Sequence, residues 1–502
     1  VAHFPEFPES PLFSEPLSSE PQEHPHRYCA VALNLPLFRY FHYQVPPKLQ
    51  DRIAIGKRVK VPFRHRVETG FCVEFVQTPE VPKVLDIFEV LDTEVLVLPS
   101  LMQLAQWISK YYCCSLGDVL EAFLPRAVKN QIQSKVVPWI STTLSEKELE
   151  EHIQTLQDEF PQQARFLRAL KDLPQKEGNP HQLTRSLGLS LSPVQSLKKK
   201  GIIQWTRKSV PLDPFAELLT VSPPVMKLTK EQQEALSQLE PLLEPGSFSV
   251  TLLQGVTGSG KTEIYLRTIQ KVIDRGQQAI VMVPEIALTP QTVARFKQRF
   301  ARVALLHSQL TDSQRYSQWT RIYQEEIDVV IGPRSAIFAP LRRLGLVVID
   351  EEHEMTFKQQ NAPYYHARDV AIVRAKMEGA AVILGTATPS LETYHKALQK
   401  KYHHIFLKNR VLYQSMPQVS LIHMGDEMRT QRRLTLISQA LKEATETALQ
   451  RKEQVIFFLN RRGFSTYVDC KRCGWILKCI SCDVTMTFHK KNQSSVMPLL
   501  LP

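Results

Sequence analysis

The chain has 502 residues, 43% of them apolar, and a formal net charge of +12. That length exceeds what one core can organise and points to three or four domains of about 100–200 residues each. No apolar run reaches the roughly 18 residues of a membrane span, and no basic segment leads into an apolar one, so neither a membrane span nor secretion is expected, and a cytoplasmic protein is.

In chain order, residues 1–26 hold five Glu, six Pro and no Lys or Arg, which leaves +17 on the remainder. A tail of that composition (1–27) cannot bury a core and is expected to be disordered. The basic remainder suits a polyanionic partner through counter-ion release, although charge alone also fits a plain solvated surface. Cys29, Cys72, Cys113 and Cys114 share no ligand spacing and read as buried free thiols of a reducing compartment.

Residues 28–130 read as a small β-rich domain. YCAVALNL alternates, PLFRYFHYQVP is aromatic, and GKRVKVPFRHRVETGFCVEFV sets Val59, Val61 and Phe63 on one face with Lys60 on the other. SLMQLAQWISKYY at 100–112 has helical spacing. Short strands carrying basic and aromatic side chains fit a small barrel able to hold a nucleic-acid end, and equally an ordinary β core.

Residues 131–212 read as a winged helix. PQQARFLRALKDL, HQLTRSLGL closed by Gly188, and SPVQSLKKKG capped at Ser192 give three helices, and IIQWTRK a strand. Lys198, Lys199 and Lys200 stand where a third helix would meet phosphates, or where it would simply face water.

From 213 to 420 strand and helix alternate. SFSVTLLQ, AIVMVP, VALLH, DVVIG, LGLVVID and AAVILG are apolar, β-branched runs, the signature of a parallel sheet covered on both faces. Residues 421–502 hold a helical stretch (436–450) and EQVIFFLN (453–460), read as the first strand of a second α/β lobe.

The chemistry lies in this part. GVTGSGKT (255–262) fits G-x-x-x-x-G-K-[ST], with a strand before it and a helix after. Glycines let backbone N–H groups wrap phosphates; Lys261 reaches the terminal phosphates and Thr262 meets Mg²⁺. LVVIDEEHE (346–354) delivers Asp350 to the end of a buried strand, where a carboxylate can hold the Mg²⁺ shell and Glu351 can orient and deprotonate water. GTATPS (385–390) can relay phosphate state, or be a plain turn. Cys470, Cys473, Cys479 and Cys482 form C-x₂-C-x₅-C-x₂-C, a zinc spacing.

GVTGSGKTEIY, VPEIALTPQ, LLHSQLTDSQR, IGPRSAIFAPL, IDEEHE, KQQNAPYYHARDVA, GTATPSLE and FLNRRGFS occur in that order. With these motifs the chain resembles the superfamily 2 helicases, and more closely the primosomal protein N′ (PriA) family of replication-restart DNA helicases, over roughly residues 28–492. The resemblance implies an α/β multidomain ATP-driven 3′→5′ helicase: a 3′-end-binding domain, a winged helix, a RecA-like lobe and a partial second lobe with a zinc-binding insertion. It implies ATP held by Gly255, Gly258, Ser259, Gly260, Lys261 and Thr262, with Gln232 reading adenine; Thr229 and Gln232 equally spell a capping box. It implies Mg²⁺ on Thr262 and Asp350, and Glu351 beside the water.

It further implies an aromatic-rich loop over 357–366, with Phe357, Tyr364 and Tyr365 as stacking faces for single strands. Its partners would be forked and single-stranded DNA, single-stranded DNA-binding protein and other primosome proteins. In the 3′-end domain the family pattern is Phe-Asp-Tyr; here Phe41-His42-Tyr43 puts imidazole where a carboxylate would meet the 3′-hydroxyl. The family has eight cysteines in interleaved pairs for two zinc ions, and this chain carries the first four before NQSSVMPLLLP. A truncated or frame-shifted second lobe is therefore expected, lacking the late arginine that stabilises the transferring phosphoryl group; Arg461 and Arg462 lie in an early motif. Alternatives are a fork-binding module with an impaired motor, and another superfamily 2 DNA translocase.

Overall fold

β1 (Tyr28–Leu33) is buried on both faces, with Ala30 and Ala32 feeding one core and Cys29, Val31 and Leu33 another. The computed structural model describes residues 27–130, 136–209, 227–411, 418–431, 437–458, 475–479, 485–489 and 494–496. The expected N-terminal tail therefore lies outside the described residues. Strands β2 (Phe41–Gln44), β3 (Arg58–Phe63), β4 (Arg66–Val76), β5 (Leu85–Asp86) and β6 (Glu89–Val90) complete a sheet of order β5-β2-β1-β4-β3-β6. One face packs on itself around Val31, Val59, Val61 and Cys72. The other is covered by α1 (Pro99–Tyr111) and α2 (Leu116–Phe123), with α3 (Arg126–Lys129) following. Cys29, Cys72 and Cys114 are buried thiols as expected, whereas Cys113 is exposed because a left-handed φ of 49° turns it out of the helix end.

Arg58 and Asp92 form a buried ion pair at 2.7 Å, and Arg58 Nη1 donates to the Lys129 carbonyl. The sheet edge is thereby fastened to the end of α3. Breaking such a pair strands a charge, which makes it a strong constraint on geometry.

The next part has β7 (Val136–Ser141), α4 (Glu146–Gln157), α5 (Pro161–Lys171), β8 (Glu177–Gly178), α6 (Pro180–Leu187), α7 (Ser192–Lys199) and β9 (Gln204–Ser209). Its three antiparallel strands run β8-β7-β9 beside a core of Leu149, Ile153, Phe166, Leu167, Val194 and Leu197. Ser145 caps α4 in a capping box with Glu148, and Gly188 ends α6 at φ 64°. Ser192 is not the cap of α7: it lies inside the first turn, after Leu191, which gives no side-chain cap.

The third part begins with α8 (Lys230–Leu239) and continues through β10 (Ser249–Gly255), α9 (Lys261–Asp274), β11 (Gln278–Met282), α10 (Pro290–Arg299), β12 (Val303–Leu305), α11 (Asp312–Tyr323), β13 (Val329–Gly332), β14 (Leu344–Asp350), α12 (Ala367–Glu378), β15 (Ala381–Thr386), α13 (Leu391–Leu398) and β16 (His403–Leu407). Seven parallel strands run β12-β13-β11-β14-β15-β10-β16. Successive residues feed opposite faces. Val347 and Ile349 join the α11–α12 side, and Leu346 and Val348 the α8–α10 side. This two-faced burial is why the strands read as continuous apolar runs.

The α1–α2 layer shares its core with the α12 face of this sheet. Phe123 stacks on Phe338 at 4.2 Å, and Phe338 meets Tyr365 edge-on at 5.1 Å. Tyr323 OH donates to the Val95 carbonyl at 3.1 Å.

Residues 415–502 form a separate unit. Its described elements are α14 (Met424–Gln431), α15 (Gln439–Gln450) capped by Ser438, and the antiparallel pair β17 (Thr487–His489) and β18 (Ser494–Val496). The strand expected at 453–460 is not formed in its described part. Residues 453–458 are irregular, with Ile456 and Phe458 exposed. An apolar run becomes a strand only with a neighbour to bond, and among the described residues none pairs with it.

Candidate active site

The phosphate loop leaves β10 at Gly255 and enters α9 at Lys261. Gly258 and Gly260 both sit at φ 81°, a region that other residues adopt only under strain. Space forbids a side chain as well: a Cβ on Gly260 would lie 2.2 Å from Gln232 Nε2, and one on Gly255 2.6 Å from Ser259 Oγ. Ser259 Oγ is buried and has no hydrogen-bond partner among the described residues. Lys261 Nζ donates to the Gly255 carbonyl at 2.9 Å. A narrow cradle with an unmatched buried hydroxyl and a cation at the helix start fits a polyphosphate.

Two flanking pieces hold the cradle. Gln232 completes the capping box with Thr229 and donates from Nε2 to the Ser259 carbonyl at 3.0 Å. Its amide props the loop from beneath, a use the capping-box spelling does not disclose. On the other side, Val256 N–H donates to the Leu407 carbonyl at 3.2 Å and Val411 N–H to the Gly258 carbonyl at 3.1 Å. Asn409 is pinned to the Glu231 carboxylate, and Arg410 lies over Gly258.

The acids stand at the same end of the sheet. β14 and β10 both flank β15 in parallel, with Asp350 beside Gly385 and Gln254 beside Thr386. Tyr265, one turn into α9 from Lys261, donates to Asp350 Oδ1 at 3.0 Å. Burial pushes the Asp350 carboxyl above its ordinary range, against the Tyr265 hydrogen bond and the Lys261 charge. Burial and then the Asp350 charge raise Glu351. Glu351 sits at φ 49°, so the chain turns sharply at the strand end under strain. Oxygen donors of this kind (Asp350, Glu351 and the Thr262 hydroxyl) suit a hard cation such as Mg²⁺.

Behind them lies a network that the sequence reading did not contain. Glu352 is fully buried and accepts from Arg368 Nη1 at 2.9 Å, Ser390 N at 2.7 Å, Ser390 Oγ at 3.1 Å and Thr393 Oγ1 at 2.9 Å. His353 Nδ1 meets Thr386 Oγ1 at 2.8 Å. GTATPS is thus hydrogen-bonded to the acidic turn through Thr386 and Ser390. The signal available earlier was the unbroken acidic run itself: a third carboxylate beside two others needs its own cation, and Arg368 follows in the next helix.

Two family domains match this chain: the 3′DNA-binding domain over residues 30–125 and the DEAD/DEAH box helicase over residues 229–397. The replication restart protein PriA of Bacillus subtilis (strain 168) is 34% identical over 518 aligned positions, covering 91% of this chain and 64% of that protein. PriA of Chlamydia pneumoniae is 38% identical over 466 positions (92% and 62%), and PriA of Haemophilus influenzae 37% over 470 (92% and 62%). Over nine tenths of its length the chain is thus similar to PriA proteins. It spans slightly less than two thirds of the length of these PriA relatives.

Other positions expected from the PriA resemblance fall elsewhere. Phe357 and Tyr365 are not stacking faces. Both are buried, Phe357 at 1% and Tyr365 at 3% exposure, because their rings complete the core beneath the loop; only Tyr364 presents its ring to solvent. Phe41 packs edge-on against Phe63 at 5.0 Å with Arg39 over its ring, and Tyr43 OH donates to the Pro62 carbonyl. His42 Nδ1 accepts from Glu80 N–H at 3.0 Å, which ties one of its ring nitrogens to a neighbouring loop. Lys198, Lys199 and Lys200 are exposed at the end of α7; Lys200 also donates to Gln163 Oε1 and lies 4.3 Å from the Phe160 ring. Of the cysteine cluster only Cys479 is described; Cys470, Cys473 and Cys482, like Arg461 and Arg462, lie outside the described residues. Among the described residues no group of three or more potential ligands gathers as a metal site. No helix there is long and apolar enough to cross a membrane.

Proposed function

We propose that the chain supplies the fork-binding and ATP-hydrolysing parts of a DNA helicase that moves 3′→5′ on single-stranded DNA and reloads the replication machinery at stalled or branched forks. One relationship carries this reading. Asp350 and Glu351 leave the sheet at the edge that bears the phosphate loop, and Tyr265, on the helix Lys261 begins, reaches Asp350 at 3.0 Å.

The loop amides and Lys261 bind the triphosphate, and Thr262 and Asp350 would hold Mg²⁺. The bound cation would neutralise charge on the transferring phosphoryl group. Glu351 orients the attacking water and accepts its proton, a task that its raised basicity favours. Phosphate state reaches the rest of the lobe through Glu352, His353 and the 386–390 segment.

Residues 28–130 would take the 3′ end of a nascent strand, and residues 131–212, a winged helix in this reading, the adjacent duplex by way of Lys198, Lys199 and Lys200. Tyr364 offers its exposed ring to single-stranded bases. The spacing of Cys470, Cys473, Cys479 and Cys482 supports a zinc clip. Single-stranded DNA-binding protein and primosome proteins are the expected partners, in the cytoplasm. The test is Lys261→Ala. DNA-stimulated ATP hydrolysis should be lost while forked-DNA binding survives; unchanged hydrolysis would overturn the reading.

A further inference from the structure

The segment 358–366 is a small hairpin. Lys358 and His366 form an antiparallel bridge at its base, Gln359 N–H donates to the Tyr365 carbonyl at 2.8 Å, and Lys358 Nζ donates to the Tyr364 carbonyl. Its incoming arm starts just after the acidic turn, where Glu354 N–H donates to the Glu351 carbonyl. Its outgoing arm runs into α12, whose Arg368 returns to Glu352 at 2.9 Å. Both arms therefore end on the four residues that carry the acids.

What holds the base comes from the N-terminal part of the chain. Tyr112, the C-terminal cap of α1, accepts the His366 N–H on its hydroxyl at 3.1 Å. Its ring lies 5.2 Å from Lys358 Nζ. One side chain thus touches both arms where they meet. It is itself fixed, edge-on to Tyr111 at 4.9 Å and to Trp107 at 6.1 Å. The α1 helix that carries it packs against α12. His366 N–H sits at the N-terminal end of α12, where no intrahelical acceptor exists, so the phenol oxygen fills a real vacancy in the hydrogen-bonding pattern.

We propose that Tyr112 is a positioning residue through which the N-terminal domain sets the hairpin and, by way of Arg368 and Glu352, the acidic turn at Glu351. The proposal rests on the reading of that turn as the hydrolytic site and of residues 28–130 as the DNA-end domain. It adds that the Tyr112 hydroxyl is the hydrogen-bonded link between these two parts, beside the apolar Phe123–Phe338–Tyr365 contact, and that through it DNA held by the DNA-end domain alters the conformational freedom of the acidic turn.

The test is backbone amide exchange in the 502-residue chain, comparing wild type with Tyr112→Phe, each alone and with a forked DNA bearing a free 3′-hydroxyl. The substitution keeps the ring and removes only the oxygen. Loss of one hydrogen bond should speed exchange across 358–366 by roughly two- to tenfold, with the global melting temperature little changed. Forked DNA should change protection at 350–354 in wild type and not in Tyr112→Phe. Equal exchange of the hairpin in both proteins, or the same DNA response at 350–354 in both, overturns the proposal. Failure of the motor reading would instead appear as absent Lys261-dependent hydrolysis, and leaves the hairpin measurement valid.

Discussion

Tyr265 OH lies 3.0 Å from Asp350 Oδ1, and the same hydroxyl occupies the space that a side chain on Gly385 would need, 1.6 Å from the site of its Cβ. Three motifs distant in sequence thus meet at one oxygen atom: the helix after the phosphate loop, the acidic strand and the strand ending in GTATPS.

Tyr265→Phe deprives a half-buried carboxylate of its phenol donor and is expected to lower stability by about 1–3 kcal/mol, together with the rate of hydrolysis. Gly385→Ala drives a methyl group into the phenol and should cost more. Adding Tyr265→Phe to Gly385→Ala should recover part of the loss. Thermal unfolding of the two single variants and the double variant reads the coupling directly; strict additivity would deny the contact.

Glu352 and Arg368 are buried at 0% and 10% side-chain exposure. Removing one partner strands the other, so Glu352→Ala and Arg368→Ala should each destabilise by about 3–5 kcal/mol. Glu352→Gln, which keeps an acceptor for Ser390 and Thr393, should be milder. Denaturant unfolding of the three variants gives the order.

Gly260→Ala meets both a φ of 81° and the Gln232 amide at 2.2 Å. Nucleotide affinity should fall by about tenfold or more, since 1.4 kcal/mol of strain suffices for that factor. Gly246, also at positive φ but with open space around it, serves as the control: Gly246→Ala should leave affinity alone. Titration with a labelled ADP reports both.

His366 introduces a pH dependence. Its Nδ1 accepts from Arg368 N–H at 3.3 Å as the cap of α12, a bond only the unprotonated nitrogen can make. Burial lowers its pKa, opposed by Asp369 and reinforced by Arg368 and Lys358. A histidine with a depressed folded value holds fewer protons folded than unfolded. Its contribution is therefore complete above about 6.5, the unfolded value, and is lost as pH falls below it toward the folded one. Protection factors at 358–368, the exchange rates corrected for the intrinsic pH dependence of amide exchange, should fall between pH 7 and pH 5. In His366→Asn, which caps without titrating, that fall should vanish.

The phosphate loop and the acidic strand could be read from the sequence because each is a local pattern: glycine where φ must be positive, and carboxylates after a run apolar on both faces. The Tyr265–Asp350–Gly385 meeting could not, since it depends on which strands lie beside β15. β16 was missed because HHIFL buries only Ile405 and Leu407, too few to look like a central strand. Phe357 and Tyr365 read as surface rings in the sequence because an aromatic ring that stacks on a base and one that fills a core have the same composition. Glu352 escaped notice beside Asp350 and Glu351, as nothing in an acidic run says which member points inward. Residues 453–458 gave the opposite error: apolar character without a partner to pair with.

β16 also fixes where the polypeptide departs from this lobe. The chain runs out along the edge strand next to β10, and its backbone at Leu407 and Val411 is bonded to Val256 and Gly258. The way out of the lobe and the lip of the phosphate loop are one hinge-pin. A displacement of Leu407 or Val411 would be handed directly to Val256 and Gly258, and a rearrangement of the loop would be handed back along the same two bonds.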